Sequence, residues 1–482
     1  MASTAASLHY DVVIVGTGIA ALAAARELQP FRLLLVDARD RVGGRILTAS
    51  VPLADPPAPE SAPDSKAPAL PTAQVDLGAS MVHGFAEGNP VAGLITRELD
   101  MDVHVPAGAK GFVYGPDGPL AEADATSILA ASAQNAFTPA PAMAADASVA
   151  SLLLPKIQHD PRLVALARTA EIGAGIPLEE QAAQFAGFEA GYKGTDAYPL
   201  GGYGEVIRNL VAEVKAAGGE VRLSTEVTRI EDLGAEQGVR VTTRAGEAFA
   251  ARAVISTIPH AVLQQAPPAF DPPLPPQFTA AIERMRTGAL EKIVLSYPHA
   301  WWPSPDENGS FLLLPLSPEP VSSANSLEEV FARTVIPVAS FQRLASAPHP
   351  TLLAYIGAAA ARAIAAYPAV DVSSAFHTYL AARLAPASAP PAPRTALVTA
   401  WQADPYARGA TSAPTPLSTS RDGARASPLD FVVVARAQWG GRLGFAGEHT
   451  DVENHGSVAG AFVSGRREGV RVRELLERVV GP

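Results

Sequence analysis

The chain has 482 residues, 48% of them hydrophobic and 18% charged, a balance that excludes a disordered tail or a small disulfide scaffold and leaves room for a large core. Its 37 basic and 48 acidic residues give a net charge of -11, which argues against a protein that coats a nucleic-acid backbone. There is no cysteine, so disulfides, thiolate metal sites, iron-sulfur clusters, cysteine nucleophiles and cysteinyl-linked cofactors are excluded together.

The N-terminus lacks a basic region ahead of an apolar block, and the most apolar stretch, 12–25, is too short to span a bilayer. A cytoplasmic location without membrane or nucleic-acid partners is expected. Residues 11–15 read DVVIV, a β-branched run closed by turn glycines, and 19–28 continue in strong helix formers. A second apolar run at 33–36 ends in Asp37 and completes a βαβ unit. Within it, Gly16 permits the sharp turn, Gly18 lets backbone approach a pyrophosphate, and small Ala21 lets the helix lie against the strand. The helix N-terminus offers N–H donors to phosphates. Asp37, 21 positions after Gly16, is placed to accept hydrogen bonds from ribose hydroxyls.

Residues 51–73 then carry seven prolines and almost no periodicity, and read as a mobile surface insertion. The segment 121–190 has helical spacing. A helix is expected at 205–217, followed by strands at 221–223, 227–230, 238–243 and 253–257, a nucleotide-domain sheet extended by a hairpin. Residues 292–297 read as a strand, 303–350 as Ser- and Pro-rich loops, and 352–356 as the opening of a region that ends in the low-complexity APASAPPAP. A strand at 443–446 and a helix at 458–479 close the chain. The fold class is α/β: a Rossmann-type dinucleotide domain from 1–105, 200–290 and 395–482, with an inserted α+β substrate domain from 106–199 and 291–394.

Four motifs in order make the reading specific: RDRVGGR at 39–45, VDLGAS at 75–80, TAWQADPYARG at 399–409 and FAGEHT at 445–450. Together they resemble the flavin-containing amine oxidase family, especially its polyamine (spermine) oxidase and histone lysine demethylase branch. The resemblance implies FAD, held non-covalently because no cysteine is available. It implies that Arg45 meets the pyrophosphate, that Gly78, Ala79 and Ser80 line the flavin, that the backbone of Val227 meets the adenine, and that Glu448, after Gly447, bonds sugar hydroxyls. Ala38, Arg39, Gly44 and Trp401 belong to the same cofactor set. Ser457 and Val458 open the last helix, whose N-terminus would stabilise negative charge on the flavin; Ser457 also reads as its N-cap.

Lys292 lies in EKIVLSY, where a charged side chain must reach water or be held by partners inside. The resemblance implies that it holds a water against the flavin and assists reoxidation by dioxygen, so Lys292 is the candidate catalytic residue. His83 would stand at the substrate mouth. Glu171, Thr411 and His455 are further substrate candidates, with Glu87 and Asp196 as possible partners of distal ammonium groups. Two aromatic walls usual in the family are replaced by Thr411 and by Asn454 and His455, and Met81 stands where many relatives have tryptophan. His449, Asp451, Glu453 and His455 alternate like metal ligands, yet lie in the FAGEHT segment, so no metal site is expected. There is no G-x-S-x-G elbow and no Walker sequence.

The implied function is an FAD-dependent amine oxidase most like a polyamine oxidase, taking a small amine and dioxygen and releasing hydrogen peroxide. The alternatives are a flavin oxidase of another amine (amino acid, alkaloid or secondary-metabolite intermediate), a histone demethylase-like enzyme and a non-catalytic ligand-binding relative.

Overall fold

Val12, Val13 and Ile14 are fully buried, so the first strand is covered on both faces and reads as a continuous apolar run rather than an alternating one. In the computed structural model, which describes residues 10–54, 71–105, 112–139, 143–303, 310–344, 348–384, 389–413, 416–421 and 423–480, this strand spans Tyr10–Val15. It pairs in parallel with Leu33–Val36 on one side and Ala248–Ser256 on the other. Helix Ile19–Glu27 is the crossover between the first two strands. Glu220–Arg222 extends the sheet in parallel beyond Leu33–Val36, and Leu443–Phe445 pairs in parallel with Ala248–Ser256. Strands Val227–Asp232 and Val239–Thr243 join antiparallel, giving the hairpin extension that the sequence predicts. The fold is α/β and Rossmann-type, with ligand-binding turns at the carboxyl ends of the parallel strands.

The 23-residue helix Val458–Val480 lies along Ile19–Glu27. The approach depends on glycine: a Cβ at Gly465 would stand 2.1 Å from the Ala20 carbonyl oxygen, and one at Gly469 2.7 Å from that of Ala24. Two helices more than four hundred residues apart in sequence thus share one buried face.

A second sheet of seven strands runs in the order Thr395–Val398, Leu290–Ser296, Thr351–Gly357, Ile336–Ser340, Phe311–Leu313, Phe112–Gly115, Gly118–Pro119. It is antiparallel except where Phe311–Leu313 meets Phe112–Gly115. Strand Thr395–Val398, which a boundary at 395 assigns to the dinucleotide part, pairs instead with Leu290–Ser296. Residues 303–350 are not loops alone: among the described ones are two strands and the helix Leu327–Ala332, capped by the Ser326 hydroxyl accepting from Glu329 N at 3.3 Å. These strands are too short for their periodicity to be read, and Pro337 stands inside one of them. The Pro-rich stretch also departs from expectation at its ends, where Thr48–Pro52 pairs antiparallel with Thr72–Asp76. Val51 and Ala73 are buried there against Val294 and Leu353. Residues 55–70 lie outside the described ones. No helix among the described residues is long and apolar enough to cross a membrane.

Candidate active site

A continuous cleft of about 360 Å³ runs from the Gly16 turn, past the ends of both sheets, to the start of the last helix. At its closed end Gly16 has φ +116°, and a Cβ there would lie 2.1 Å from Thr257 Oγ1, so the turn admits only glycine. Gly18 and Gly44 face one another across the cleft wall, and a Cβ on either would meet no protein atom closer than 3.6 Å. The space they leave open is a cradle for backbone-bound phosphates.

Asp37 is buried at the end of its strand. One carboxylate oxygen accepts from Thr17 N (2.9 Å) and Thr17 Oγ1 (2.6 Å), and the other accepts only from Arg39 N at 3.0 Å, leaving lone-pair capacity toward the cleft. Arg39 is tied to Asp404 at 2.8 Å and lies over the Tyr406 ring, while Val227 forms the wall nearby. Asp404 and Tyr406 belong to the TAWQADPYARG motif, and sequence reasoning missed that their role is to fix Arg39.

Arg45 uses one guanidinium nitrogen, Nη1, to donate to Ala410 O (2.7 Å) and Glu448 Oε1 (2.6 Å). Glu448 is wholly engaged: it accepts from Arg45, from the Ser412 hydroxyl and N–H, and from Gly456 N at 3.0 Å. Burial alone would raise its pKa, but the Arg45 charge and these donors hold it down at about 2. Glu448 is therefore a post that ties three segments of the cleft wall together while itself lining the cleft. The neighbouring His449 is buried too, and desolvation pushes it down to about 3, so it is neutral. Ser457 accepts from Gly460 N at 3.0 Å and so caps the last helix, whose first turn lines the cleft through Ser457, Val458 and Ala461.

Lys292, in the strand Leu290–Ser296, does not face solvent; it is 3% exposed. Its ammonium donates to Asp76 O (2.9 Å), Gly78 O (2.6 Å) and Ser80 Oγ (3.1 Å), and stands 5.1 Å from the Tyr355 ring centroid. Desolvation pulls its pKa down to about 8, opposed by the negative charge of Asp76. Burial in turn raises Asp76 to about 6, against hydrogen bonds from Thr48 and Tyr203 N. With three N–H donors and three protein acceptors, a water beside Lys292 would have to displace one of them, and Ser80 is at the longest distance.

The family model described as flavin containing amine oxidoreductase matches residues 19–473. This chain belongs to the flavin-containing amine oxidoreductases. The dinucleotide turn, the open cradle at Gly18 and Gly44, and the acceptor capacity of Asp37 fit the flavin cofactor that the family implies. Among its relatives, lysine-specific histone demethylase 1 homolog 3 of Oryza sativa subsp. indica is 25% identical, over 96% of this chain and 54% of its own length. Probable polyamine oxidase 4 of Arabidopsis thaliana is 33% identical over 22% of this chain and 18% of its own. Lysine-specific histone demethylase 1 homolog 1 of the same plant is 35% identical over 25% of the chain and 13% of its own. The chain thus spans about half the length of the long relative it matches throughout.

Of the other residues singled out for this oxidoreductase, Ala38, Gly78, Ala79, Trp401, Gly447, His83 and Thr411 line the cleft. Ala21 does not: it is fully buried in the core beside the first strand, the steric role that its size suggested. Glu171 is not at the cleft either, because it pairs with Arg168 at 2.6 Å and accepts from Leu178 N. Glu87 is exposed on the surface. His455 lies in an adjoining cavity of about 250 Å³ that shares Met81, His83, Gly173 and the Gly456–Val458 turn with the main cleft. Its ring makes stacked contacts with Phe188 (5.4 Å) and Phe431 (4.7 Å), which also touch each other, and Nε2 meets Glu189 at 3.1 Å. Glu453 and Asn454 line the same cavity. At the mouth His83 Nδ1 meets Asp196 at 3.0 Å, with both side chains well exposed. Among the described residues no cluster of His, Asp or Glu could hold a metal ion. Glu189 and Tyr355 escaped the sequence reading because no motif marks them; only the fold carries them to the cavities.

Proposed function

We propose that this chain oxidises a small amine carrying a second positive charge, as a polyamine does, with FAD held non-covalently and dioxygen as the final acceptor. The observation that carries the reading is the side cavity, where Glu189 and Glu453 lie next to the flavin cleft. Exposed Glu453 and Glu189, the latter also meeting His455 at 3.1 Å, place negative charge in this space and favour a distal ammonium over a neutral chain. Bound FAD would take a hydride from the carbon beside the amine nitrogen, leaving an imine for water to hydrolyse, and would pass the electrons to dioxygen.

The protein's part is binding, orientation and charge. Asp37 and Arg45 would hold the nucleotide, the last helix would present its N-terminus to the flavin ring, and His83 with Asp196 would receive the amine at the mouth. Lys292 would place a positive charge beside the flavin. In this reading 1–105, 200–290 and 395–482 bind the cofactor and 106–199 with 291–394 the substrate, with the strand Thr395–Val398 transferred to the latter. A second reading, oxidation of another amine, is favoured by Thr411 and Asn454, which stand where the family usually places aromatic walls.

The test is peroxide release measured in parallel with spermine, acetylspermine, a monoamine and a methylated histone peptide. Turnover of the di- and polycationic amines above the monoamine is expected; preference for the monoamine would remove the role given to the side cavity. A further expected result concerns the cofactor. Acid or heat should release intact FAD, because no thioether can form, and flavin remaining on the precipitate would contradict non-covalent binding. Asp37→Ala should lower flavin occupancy about tenfold by removing a charged hydrogen-bond acceptor, read from the ratio of flavin to protein absorbance.

A further inference from the structure

The flavin cleft and the side cavity meet at a neck bounded by three short pieces of chain: Met81 with His83, Gly456 to Val458, and Gly173, the positions that line both spaces. Each side of this neck is held in place. On the first, Met81 O accepts from the Tyr203 hydroxyl at 3.3 Å and Val82 bridges Ala197. On the second, Gly456 N donates to Glu448 at 3.0 Å, and the Ser457 hydroxyl donates to Asn454 O at 2.6 Å while accepting from Gly460 N.

The third side is the short helix Ala170–Ala174. It is seated by close backbone approaches: a Cβ on Gly175 would stand 2.5 Å from Gly288 Cα, and one on Gly357 would stand 2.9 Å from Ile172 Cα. Gly175 O also accepts from Ala289 N at 2.8 Å. Glycine at 175 therefore has a steric reason, and its φ of +69° is a second one. Gly173 has neither. Its backbone is helical without a positive φ, and a Cβ there would meet no atom within 4 Å. Glycine inside a helix is less favourable than alanine, so neither backbone nor packing calls for it at 173. Around the rest of the neck His83 is engaged by Asp196 and Ser457 by the turn it caps, which leaves Met81 and Val458 as apolar sides.

We infer that Gly173 is the specificity-determining position for substrate length: a side chain at 173 would fill the neck, and its absence lets a methylene chain thread past Met81 and Val458 from the flavin cleft into the side cavity. The ligand class is an amine whose chain continues well beyond the reacting nitrogen, as opposed to a short amine that fills the flavin cleft alone. The inference deepens the proposed function and rests on it for the amine head and for the charge that Glu189 and Glu453 would meet; the passage itself depends on neither.

The test reads binding instead of turnover. Alkyltrimethylammonium ions have no lone pair on nitrogen, so they can occupy an amine site without being oxidised, and their binding to the flavoprotein is read from the perturbation of flavin absorbance. The wild type is expected to bind the decyl ion at least about tenfold more tightly than the butyl ion, through the methylenes buried beyond the neck. Gly173→Leu should cut that advantage to less than about threefold. Gly173→Ala should already take about threefold from it, and decides the question if the leucine variant does not fold. The thermal midpoint of Gly173→Ala should not fall, because alanine favours the helix and its methyl meets nothing. A wild type without length preference, or a preference kept whole in the substituted protein, overturns the inference. A lowered midpoint in Gly173→Ala would show a packed position and overturns it as well. The decamethylene bis-trimethylammonium ion separates this inference from the reading it rests on. If that ion binds no better than the decyl ion, the second-charge reading fails, while the length preference still decides the role of Gly173.

Discussion

Lys292→Met is expected to slow the return of reduced flavin to its oxidised form in the presence of dioxygen by roughly a hundredfold or more, the scale of removing one preorganised charge from a developing anion. Anaerobic reduction by the amine should change only a few-fold, because loss of a hydride from the substrate creates no negative charge on an oxygen that this cation could stabilise. Stopped-flow absorbance of the flavin separates the two halves. Equal slowing of both would mean that the substitution damages the pocket as a whole. The pH dependence sharpens the test. Burial lowers the Lys292 pKa from the ordinary lysine value to about 8, so the charged form is complete below that pH and is lost above it. Reoxidation should therefore fall as pH rises through about 8. Reduction should rise over the same range, because the substrate amine must be neutral to donate a hydride. In Lys292→Met the fall should vanish and the rise should remain.

Glu448→Ala should be the most damaging substitution to the apoprotein. It leaves the Arg45 cation without its carboxylate and strips the acceptor from the Ser412 and Gly456 donors. Breaking such a buried pair costs about 3–5 kcal/mol, against a few tenths for an exposed one. The expected outcome is a lowered melting temperature without flavin, together with weaker flavin retention, and an unchanged thermal midpoint would refute the assignment. Glu448 is held below its unfolded value, at about 2. Its contribution is thus complete above the ordinary glutamate range and is lost as pH falls through about 2. The mutant should lose less stability than the wild type between mildly and strongly acid conditions.

How much of this was legible depends on how local the signal is. The first strand, its helix and Asp37 were readable because turn chemistry and a buried apolar run leave a sharp imprint on consecutive residues. The strands at Phe311–Leu313 and Ile336–Ser340 were not, because three to five residues with a proline among them carry no usable period. The same contrast holds within the cleft. Gly18, Arg45 and Lys292 lie in motifs, but the true duties of Glu448 and Glu171 depend on partners far away in sequence. Glu448 reads as a sugar ligand, and the structure adds that Arg45, Ser412 and Gly456 all converge on it. Glu171 reads as a free acid until Arg168 closes on it. Tyr355 carries no signal at all, since a tyrosine on a strand is ordinary until its hydroxyl is placed 3.4 Å from Ser80 Oγ.

The close seating of Val458–Val480 on Ile19–Glu27 through Gly465 and Gly469 has a consequence for the order in which the protein matures on the ribosome. The helix that follows the dinucleotide turn emerges early, yet the surface that covers it, and the strand Leu443–Phe445 that completes its sheet, emerge more than four hundred residues later. Until then an alanine-rich face of the nascent chain has no lasting partner, and the cleft lacks the wall that Gly447, Glu448 and Gly456–Val458 supply. Flavin capture must therefore be a late event in biosynthesis, and a ribosome stalled before residue 443 should carry a chain that cannot retain the cofactor.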